Sequence, residues 1–278
     1  MAGVTSRPPP TVTRVIPGET AVLAVTSLNR HVYVVRQGKK EVEVYDAATL
    51  TPERRLPISE ISFGVADIAA CSRNNCLYLS NWNNPSIHRV SLGGITKWPV
   101  PTKPRGLPVN VDHNVLVTCL SDKKVHEYTT DERLVREICL PAGLGSPWHA
   151  VRLSTGGYAV SHHEAPGVVR VVRENGGLIG SFKRLNSTNV VGAMKYPRSL
   201  AATAHGDVLV ADAGNHRILA INFSIARAQV FPVTVDVDLR APCALYLDDT
   251  RDRLYIGEMG GTHRVIVLNN ASCIPWQL

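Results

Sequence analysis

Residues 196–223 read YPRSLAATAHGDVLVADAGNHRILAINF, and this stretch decides the fold. Three short strands rich in β-forming residues are predicted within it, and the segments between them contain the Gly, Asp and Asn typical of tight turns. The predicted strands are Ser199–Thr203, Val208–Ala211 and Ile218–Ile221, with a fourth at Gln229–Val233. No helical period runs through the stretch. Because a single four-stranded sheet leaves both faces exposed, we expect further copies to stack beside it.

A second copy of this pattern lies near the end of the chain. Pro242-Cys243-Ala244-Leu245 repeats the Pro-x-x-Leu of Pro197–Leu200, where the first strand begins. Leu254–Glu258 repeats the second strand, and Thr262-His263-Arg264-Val265 repeats Asn215–Ile218. The shared elements Pro-x-x-Leu, Val-Ala-Asp and Asn-His-Arg resemble the NHL-repeat family, which includes the NHL domains of tripartite-motif-type proteins. The resemblance implies a β-propeller fold.

Alignment on the second-strand pattern gives six copies. Their starting points are separated by about 39 to 50 residues, the length of one four-stranded blade. The copies begin near Thr20, Val65, Pro104, Pro147, Pro197 and Pro242. We therefore predict an all-β fold, a six-bladed β-propeller of four-stranded antiparallel blades.

The segments outside the six copies suggest how the ring closes. Residues 1–10, with Pro8–Pro10, are predicted to be an extended leader, and residues 11–278 to form a single propeller domain. Thr11–Ile16 alternates like a strand, so we expect it to complete the sixth blade and to remove two free sheet edges. The alternative is that Cys273–Leu278 supplies this strand.

Composition limits the classes of function. The 278 residues are 44% hydrophobic, and no apolar run approaches the roughly 18 residues of a membrane helix. No secretory signal is visible, so we expect a cytoplasmic protein. We also expect a monomer without a membrane partner. The formal charge of +7 permits an anionic partner.

The six cysteines are sparse for the length, which fits a reducing compartment. Cys71 and Cys76 flank a predicted hairpin turn, and they are interpreted either as a disulfide or as two small strand-end residues. No Cys-x-x-Cys pair with zinc-site spacing is present.

The blades of a propeller surround a central channel, and the alignment of the six copies predicts which residues lie at one mouth of this channel. The third positions of the first strands are Val22, Asp67, Gly106, His149, Ser199 and Ala244. The ends of the second strands are Arg36, Asn81, Cys119, His162, Asp212 and Glu258. His149 and His162 are the candidates for a metal site, but the first ring holds only one histidine. Asp212 and Arg217 are expected to form an ion pair that braces the blade.

The face of the propeller around this channel mouth is predicted to be basic, and the opposite face acidic. Trp82 and Trp148 lie in its loops, where an aromatic side chain suits partner binding or base stacking. The predicted partner-binding residues are Lys39, Lys40, Trp82, Arg105, Lys123, Lys124, Trp148 and Arg198. They favour a non-catalytic module that binds RNA or an acidic protein and uses no cofactor. The alternatives are a metal-dependent propeller enzyme of the amidating-lyase or lactonase type and the substrate-recognition part of a ubiquitin ligase system.

Overall fold

The strands form six antiparallel sheets, in agreement with the predicted β-propeller. The computed structural model describes residues 8–58, 61, 64–141, 145–163, 166–182, 192–224, 227–233, 237–272 and 274. Most of the expected leader and of the alternative closing strand at residues 273–278 falls outside these residues. Among the described residues, no helix has the length and apolar character required to cross a bilayer.

Each blade is built from consecutive strands. The strands of the first half of the chain are β1 (Thr11–Ile16), β2 (Val22–Leu28), β3 (His31–Arg36), β4 (Glu41–Asp46), β5 (Pro52–Pro57), β6 (Val65–Cys71), β7 (Cys76–Asn81), β8 (Ser86–Ser91), β9 (Gly94–Pro99), β10 (Val115–Cys119), β11 (Lys124–Tyr128) and β12 (Leu134–Cys139). Those of the second half are β13 (Pro147–Arg152), β14 (Tyr158–His162), β15 (Val168–Val172), β16 (Leu178–Phe182), β17 (Pro197–Ala202), β18 (Asp207–Asp212), β19 (Arg217–Asn222), β20 (Arg227–Val230), β21 (Pro242–Asp248), β22 (Arg253–Glu258) and β23 (Val265–Asn269). A single 3₁₀ turn, Ala213–Asn215, joins β18 to β19.

The ring closes through its N-terminal strand, as predicted. β1 pairs antiparallel with β23, so the sixth blade has the order β1-β23-β22-β21. Thr11 lies opposite Asn269 and Ile16 opposite Val265. This pairing gives the outer edge of β23 a hydrogen-bonded partner and joins the two ends of the chain.

Blade 3 departs from the regular pattern at its innermost segment. Its sheet contains β10, β11 and β12, and the inner segment does not form a continuous strand but pairs with β10 at the bridges Pro104–Cys119 and Val109–Val115. Pro104 and Pro108 have no N–H group to donate to a ladder, which explains the interruption. The backbone of Arg105 still donates to the Thr118 carbonyl, so the segment keeps its place beside the channel.

The hydrophobic core is divided among the interfaces between blades. Six clusters of buried side chains, mostly Val, Leu and Ile, each join one blade to the next within the described residues. For example, Val151 of blade 4 packs in one cluster with Leu200 and Val208 of blade 5. Each blade therefore buries apolar side chains against both of its neighbours.

The cysteine hairpin forms without a cross-link. Cys71 and Cys76 are register partners on β6 and β7, as the sequence predicts. Both are buried free thiols, so they act as small strand-end residues.

Candidate functional site at the channel mouth

Two β-bulges turn side chains toward one end of the channel. The register of β13 against β14 shifts between Pro147 and His149, and that of β17 against β18 shifts between Pro197 and Leu200. Extra residues at a bulge break the alternation of the strand and are aimed differently from their neighbours. Trp148 and Arg198 occupy these positions, and both line a cavity of about 290 Å³ at the channel mouth.

The irregular inner segment of blade 3 supplies a second cation to this cavity. Arg105 and Gly106 both line it. A Cβ atom on Gly106 would lie 2.8 Å from the His149 ring, so only glycine permits the close approach of the segment to blade 4. The interrupted strand therefore brings Arg105 against Trp148.

Cations and aromatic rings alternate across the mouth. The guanidinium carbon of Arg105 lies 3.8 Å from the centroid of Trp148 and 4.9 Å from that of Trp82. Arg198 lies 5.0 Å from the Trp148 centroid, and the Lys103 ammonium lies 5.3 Å from that of Trp82. These distances fall within the range of cation–π attraction. We call Trp82, Arg105, Trp148 and Arg198 the mouth cluster.

The mouth cluster extends to a histidine and a tyrosine. His163 stacks on Trp148 with centroids 4.2 Å apart, and Tyr196 lies 5.1 Å from His163. Two groups this close to one ring centroid occupy opposite faces of the ring. Both faces of Trp148 are thus covered, by Arg105 and His163, which leaves little ring surface for a stacked base.

The two arginines of the mouth cluster have no counterion in the part of the chain that the structure describes. Among the described residues, no carboxylate oxygen lies within 4.0 Å of the guanidinium nitrogens of Arg105 or Arg198. Three other arginines at or next to the end of a β-strand do have carboxylate partners: Arg36 with Glu43 at 2.6 Å, Arg217 with Asp212 at 2.8 Å, and Arg264 with Glu258 at 2.8 Å.

Burial at the channel mouth disfavours the charged form of both arginines. Burial and, to a smaller extent, the charge of Arg198 together lower the pKa of Arg105 to about 10, while Asp67 acts in the opposite direction. Burial also lowers the pKa of Arg198. The Nε of Arg105 is buried and makes no hydrogen bond to the described residues. Buried donors and charges of this kind favour a bound anion.

Serine residues of neighbouring blades fix the backbone of both arginines. Ser80 on β7 donates a hydrogen bond to the Arg105 carbonyl at 3.4 Å, and Ser161 on β14 donates one to the Arg198 carbonyl at 2.6 Å. Each serine is the last residue but one of the second strand of its blade, β7 in blade 2 and β14 in blade 4. The arginines are therefore held in equivalent positions by the repeat itself.

His149 and Asp67 form a bridge deeper in the channel. The His149 Nε2 lies 3.4 Å from the Asp67 carboxylate, while the Leu200 N–H donates to Nδ1 at 3.4 Å. The same Asp67 oxygen accepts the Leu107 N–H at 2.7 Å. Since Nδ1 accepts a hydrogen bond, a neutral His149 imidazole carries its proton on Nε2, the nitrogen nearer Asp67.

His162 lies elsewhere. It is completely buried, and its Nδ1 lies 2.9 Å from the Gly145 carbonyl. In the part of the chain that the structure describes, neither His149 nor His162 belongs to a group of three metal-ligating side chains.

The predicted ring of first-strand residues is largely present. Asp67, Gly106, His149, Ser199 and Ala244 all line the cavity, together with Leu23 and Ala24. Val22 instead is fully buried and packs against Gly257.

The ends of the second strands brace the blades. The Asp212 carboxylate accepts the Lys195 N–H at 2.7 Å and pairs with Arg217 at 2.8 Å, which is the expected ion pair. The Glu258 carboxylate likewise accepts the Arg240 N–H and pairs with Arg264. Each carboxylate therefore connects the end of a second strand to the segment that leads into the first strand of the same blade.

The structure divides the eight predicted partner-binding residues into two sets. Trp82, Arg105, Trp148 and Arg198 come together at the cavity, and the four lysines do not line it. Lys39 and Lys40 lie in the turn between β3 and β4, Lys123 lies in the turn between β10 and β11, and Lys124 is the first residue of β11. Lys39 pairs with Glu19 at 3.2 Å and Lys124 with Glu137 at 2.6 Å, while Lys123 is exposed. Two of the four predicted lysines, Lys39 and Lys124, therefore have a carboxylate partner nearby.

Sequence reasoning missed His163 and Tyr196. His163 follows the fully buried His162, and the strand alternation that separates the two was the signal for its outward position. Tyr196 immediately precedes the bulged strand β17, has a left-handed backbone conformation with φ near 54°, and is exposed.

Comparisons with known proteins agree with this architecture. The model of the NHL repeat matches residues 194–221. A search of curated proteins finds no match. Among solved structures, virginiamycin B lyase from Staphylococcus aureus is 11% identical with a TM-score of 0.66, covering 92% of this chain and 98% of that one.

Two further solved structures show the same likeness. A streptogramin B lyase is 14% identical with a TM-score of 0.65, covering 95% of this chain and 86% of that one. The WD40 β-propeller domain of Doa1 is 8% identical with a TM-score of 0.65, covering 94% and 97%. At these identities the likeness concerns the fold alone, which enzymes and binding domains share.

Proposed function

Because this chain is an NHL-repeat β-propeller, we propose that it is a non-catalytic binding module whose channel mouth binds an acidic segment of a protein partner. The observation that carries the proposal is the pair of arginines, Arg105 and Arg198, which lie at the mouth without counterions among the described residues. A carboxylate between the two guanidinium groups supplies the missing charge and accepts the hydrogen bonds that Arg105 lacks.

The shape of the mouth favours a peptide over RNA. The cavity of about 290 Å³ has the size of one or two side chains. RNA-binding proteins of low sequence preference rely on exposed aromatic faces on which bases stack. Here the Trp148 ring is enclosed between Arg105 and His163, so its contribution is to hold the cations in place.

The peripheral lysines assist the approach of an acidic partner. Lys103 lies over Trp82 at the rim, and Lys123 is exposed on the same side of the disc. Charges at a rim raise the rate of association more than the affinity, and their effect falls with added salt. We do not propose an enzymatic function, since the likeness to lyases is one of fold and His149 is engaged by Asp67 and Leu200.

Fluorescence anisotropy with the full chain tests the proposal. A labelled poly-glutamate peptide and a labelled polyuridine RNA of equal length are titrated separately, each at low and at physiological salt. We expect saturable binding of poly-glutamate that weakens with salt, and weaker binding of polyuridine.

Two outcomes would overturn the proposal. Tighter binding of polyuridine than of poly-glutamate would assign the face to nucleic acid. Absence of binding to both probes at low salt would show that the mouth cluster is not an anion site.

A further inference from the structure

Three potential metal ligands converge at one hairpin of blade 3, and none of them lines the cavity at the channel mouth. Cys119 ends β10, Asp122 lies in the turn, and His126 lies on β11. Their ligand atoms all lie within 4.8 Å of one another, and the His126 Nε2 is 3.1 Å from an Asp122 carboxylate oxygen. Within the described residues, this is the one group of three such side chains that meets this distance.

The strand register produces this arrangement. Cys119 lies opposite Lys124, and Val117 lies opposite His126. Cys119 and His126 are therefore diagonal neighbours on one face of the sheet, a spacing that long side chains bridge. The turn then folds the Asp122 carboxylate over the pair, where it also accepts the Lys124 N–H at 3.3 Å.

The orientation of His126 gives a second, independent indication. Its Nε2 faces Asp122, and its Nδ1 lies 3.7 Å from a carboxylate oxygen of Glu137 on β12. Metal-binding histidines typically hold a carboxylate with the ring nitrogen that does not touch the metal. The ring is 1% exposed and lies nearly parallel to Tyr128, so its orientation is fixed by packing.

We propose that Cys119, Asp122 and His126 bind one divalent transition-metal ion, and that zinc fits this donor set best. One sulfur, one nitrogen and one oxygen are the donors that zinc takes in proteins. In a tetrahedral zinc site, neighbouring donors are roughly 3.3 to 3.7 Å apart, which small side-chain rotations achieve here. The fourth position faces the solvent beside the partly exposed Asp122.

The charges around the hairpin balance when the ion binds. The Cys119 thiol loses its proton to the solvent as the sulfur ligates the metal. The thiolate, Asp122 and Glu137 then carry three negative charges, which the divalent ion and Lys124 neutralise. Lys124 already pairs with Glu137 at 2.6 Å, so it completes the site without touching the metal.

Cobalt(II) titration of the chelator-treated full chain provides the direct test. Cobalt(II) bound to a thiolate gives a charge-transfer absorption band, and zinc displaces it, which gives the zinc affinity by competition. We expect one equivalent of cobalt to bind with this band. Cys119→Ser should abolish the band, and Glu137→Gln should lower the zinc affinity about tenfold.

Two variants keep the test decisive. Cys139→Ser removes the exposed cysteine of the same blade, and it should leave the band and the affinity unchanged. Asp122→Asn, at a partly exposed position, serves if the Cys119 variant does not fold, and it should lower the zinc affinity at least about tenfold. A folded wild-type protein without the band, or a band that survives in Cys119→Ser, would overturn the proposal.

Discussion

The guanidinium carbon of Arg105 lies 3.8 Å from the centroid of the Trp148 ring, so a cation of blade 3 rests on an aromatic side chain of blade 4. The contact depends on the bulge that turns Trp148 toward the channel and on Gly106, beside which His149 packs. The contact couples the position of the cation to the packing of two blades. The mouth cluster, which we propose as the binding surface, is for this reason also a structural joint between two blades.

Replacement of Trp148 by alanine should weaken the joint. The change removes the contacts to Arg105, Arg198 and His163, and we expect a loss of about 2 kcal/mol, below the value for a fully buried tryptophan because the ring is half-buried. Urea unfolding followed by circular dichroism measures the change. Trp148→Phe, which keeps an aromatic face, should lose less, and equal losses for the two variants would contradict this account.

His163 should make the stability depend on pH in mildly acidic solution. Burial, together with the charges of Arg198 and Arg105, lowers its pKa to about 4. An unfolded chain protonates a histidine near pH 6.5. Between about pH 6.5 and pH 4 the unfolded state thus binds a proton that the folded state does not, and the folded state loses stability as the pH falls through this window.

The pH effect of His163 is measured by urea unfolding at pH 7 and pH 5. His163→Gln should lose less free energy of unfolding between the two values than the wild type. His205→Gln changes an exposed histidine in a turn and should retain the wild-type dependence. An NMR titration that finds His163 protonating near pH 6.5 in the folded protein would contradict the prediction.

Asp212 should be among the most sensitive polar positions. Its carboxylate is fully buried and binds Arg217, Asn215 and the Lys195 N–H. Asp212→Ala leaves a cation and two donors without their acceptor, and we expect a loss of about 3 kcal/mol in urea unfolding. Arg55→Gln breaks the exposed pair with Glu41 and should cost less than about 1 kcal/mol. Similar losses in both variants would show that Asp212 is not a brace.

The sequence was sufficient to predict the six-bladed ring and which of its loops lie on the same side. The period of the repeats predicted six blades, and the alternation of Thr11–Ile16 predicted the closing strand. Because the phase fixes which loops share one side, it also placed Trp82, Arg105, Trp148 and Arg198 on the same face. The ion pair of Asp212 with Arg217 followed from the turn between β18 and β19.

The finer arrangement depends on contacts that periodicity does not contain. Lys124 was predicted to face a partner, yet it pairs with Glu137 of the adjacent strand, a contact that the register of β12 decides. The enclosure of Trp148 depends on a bulge and on an interrupted strand, both of which break the repeat. The group at Cys119, Asp122 and His126 escaped the search for Cys-x-x-Cys spacing because its members meet across a hairpin.

Binding of poly-glutamate to an Arg198 variant tests the central claim most directly. Wild type, Arg198→Gln and Lys97→Gln are compared in the same buffer; Lys97 is an exposed lysine of the outer strand β9, so both variants lose one positive charge. We predict that Arg198→Gln weakens binding at least about tenfold, the value of one charge-assisted hydrogen bond, and that Lys97→Gln leaves it nearly unchanged. Equal effects of the two variants would contradict a specific anion site at the channel mouth.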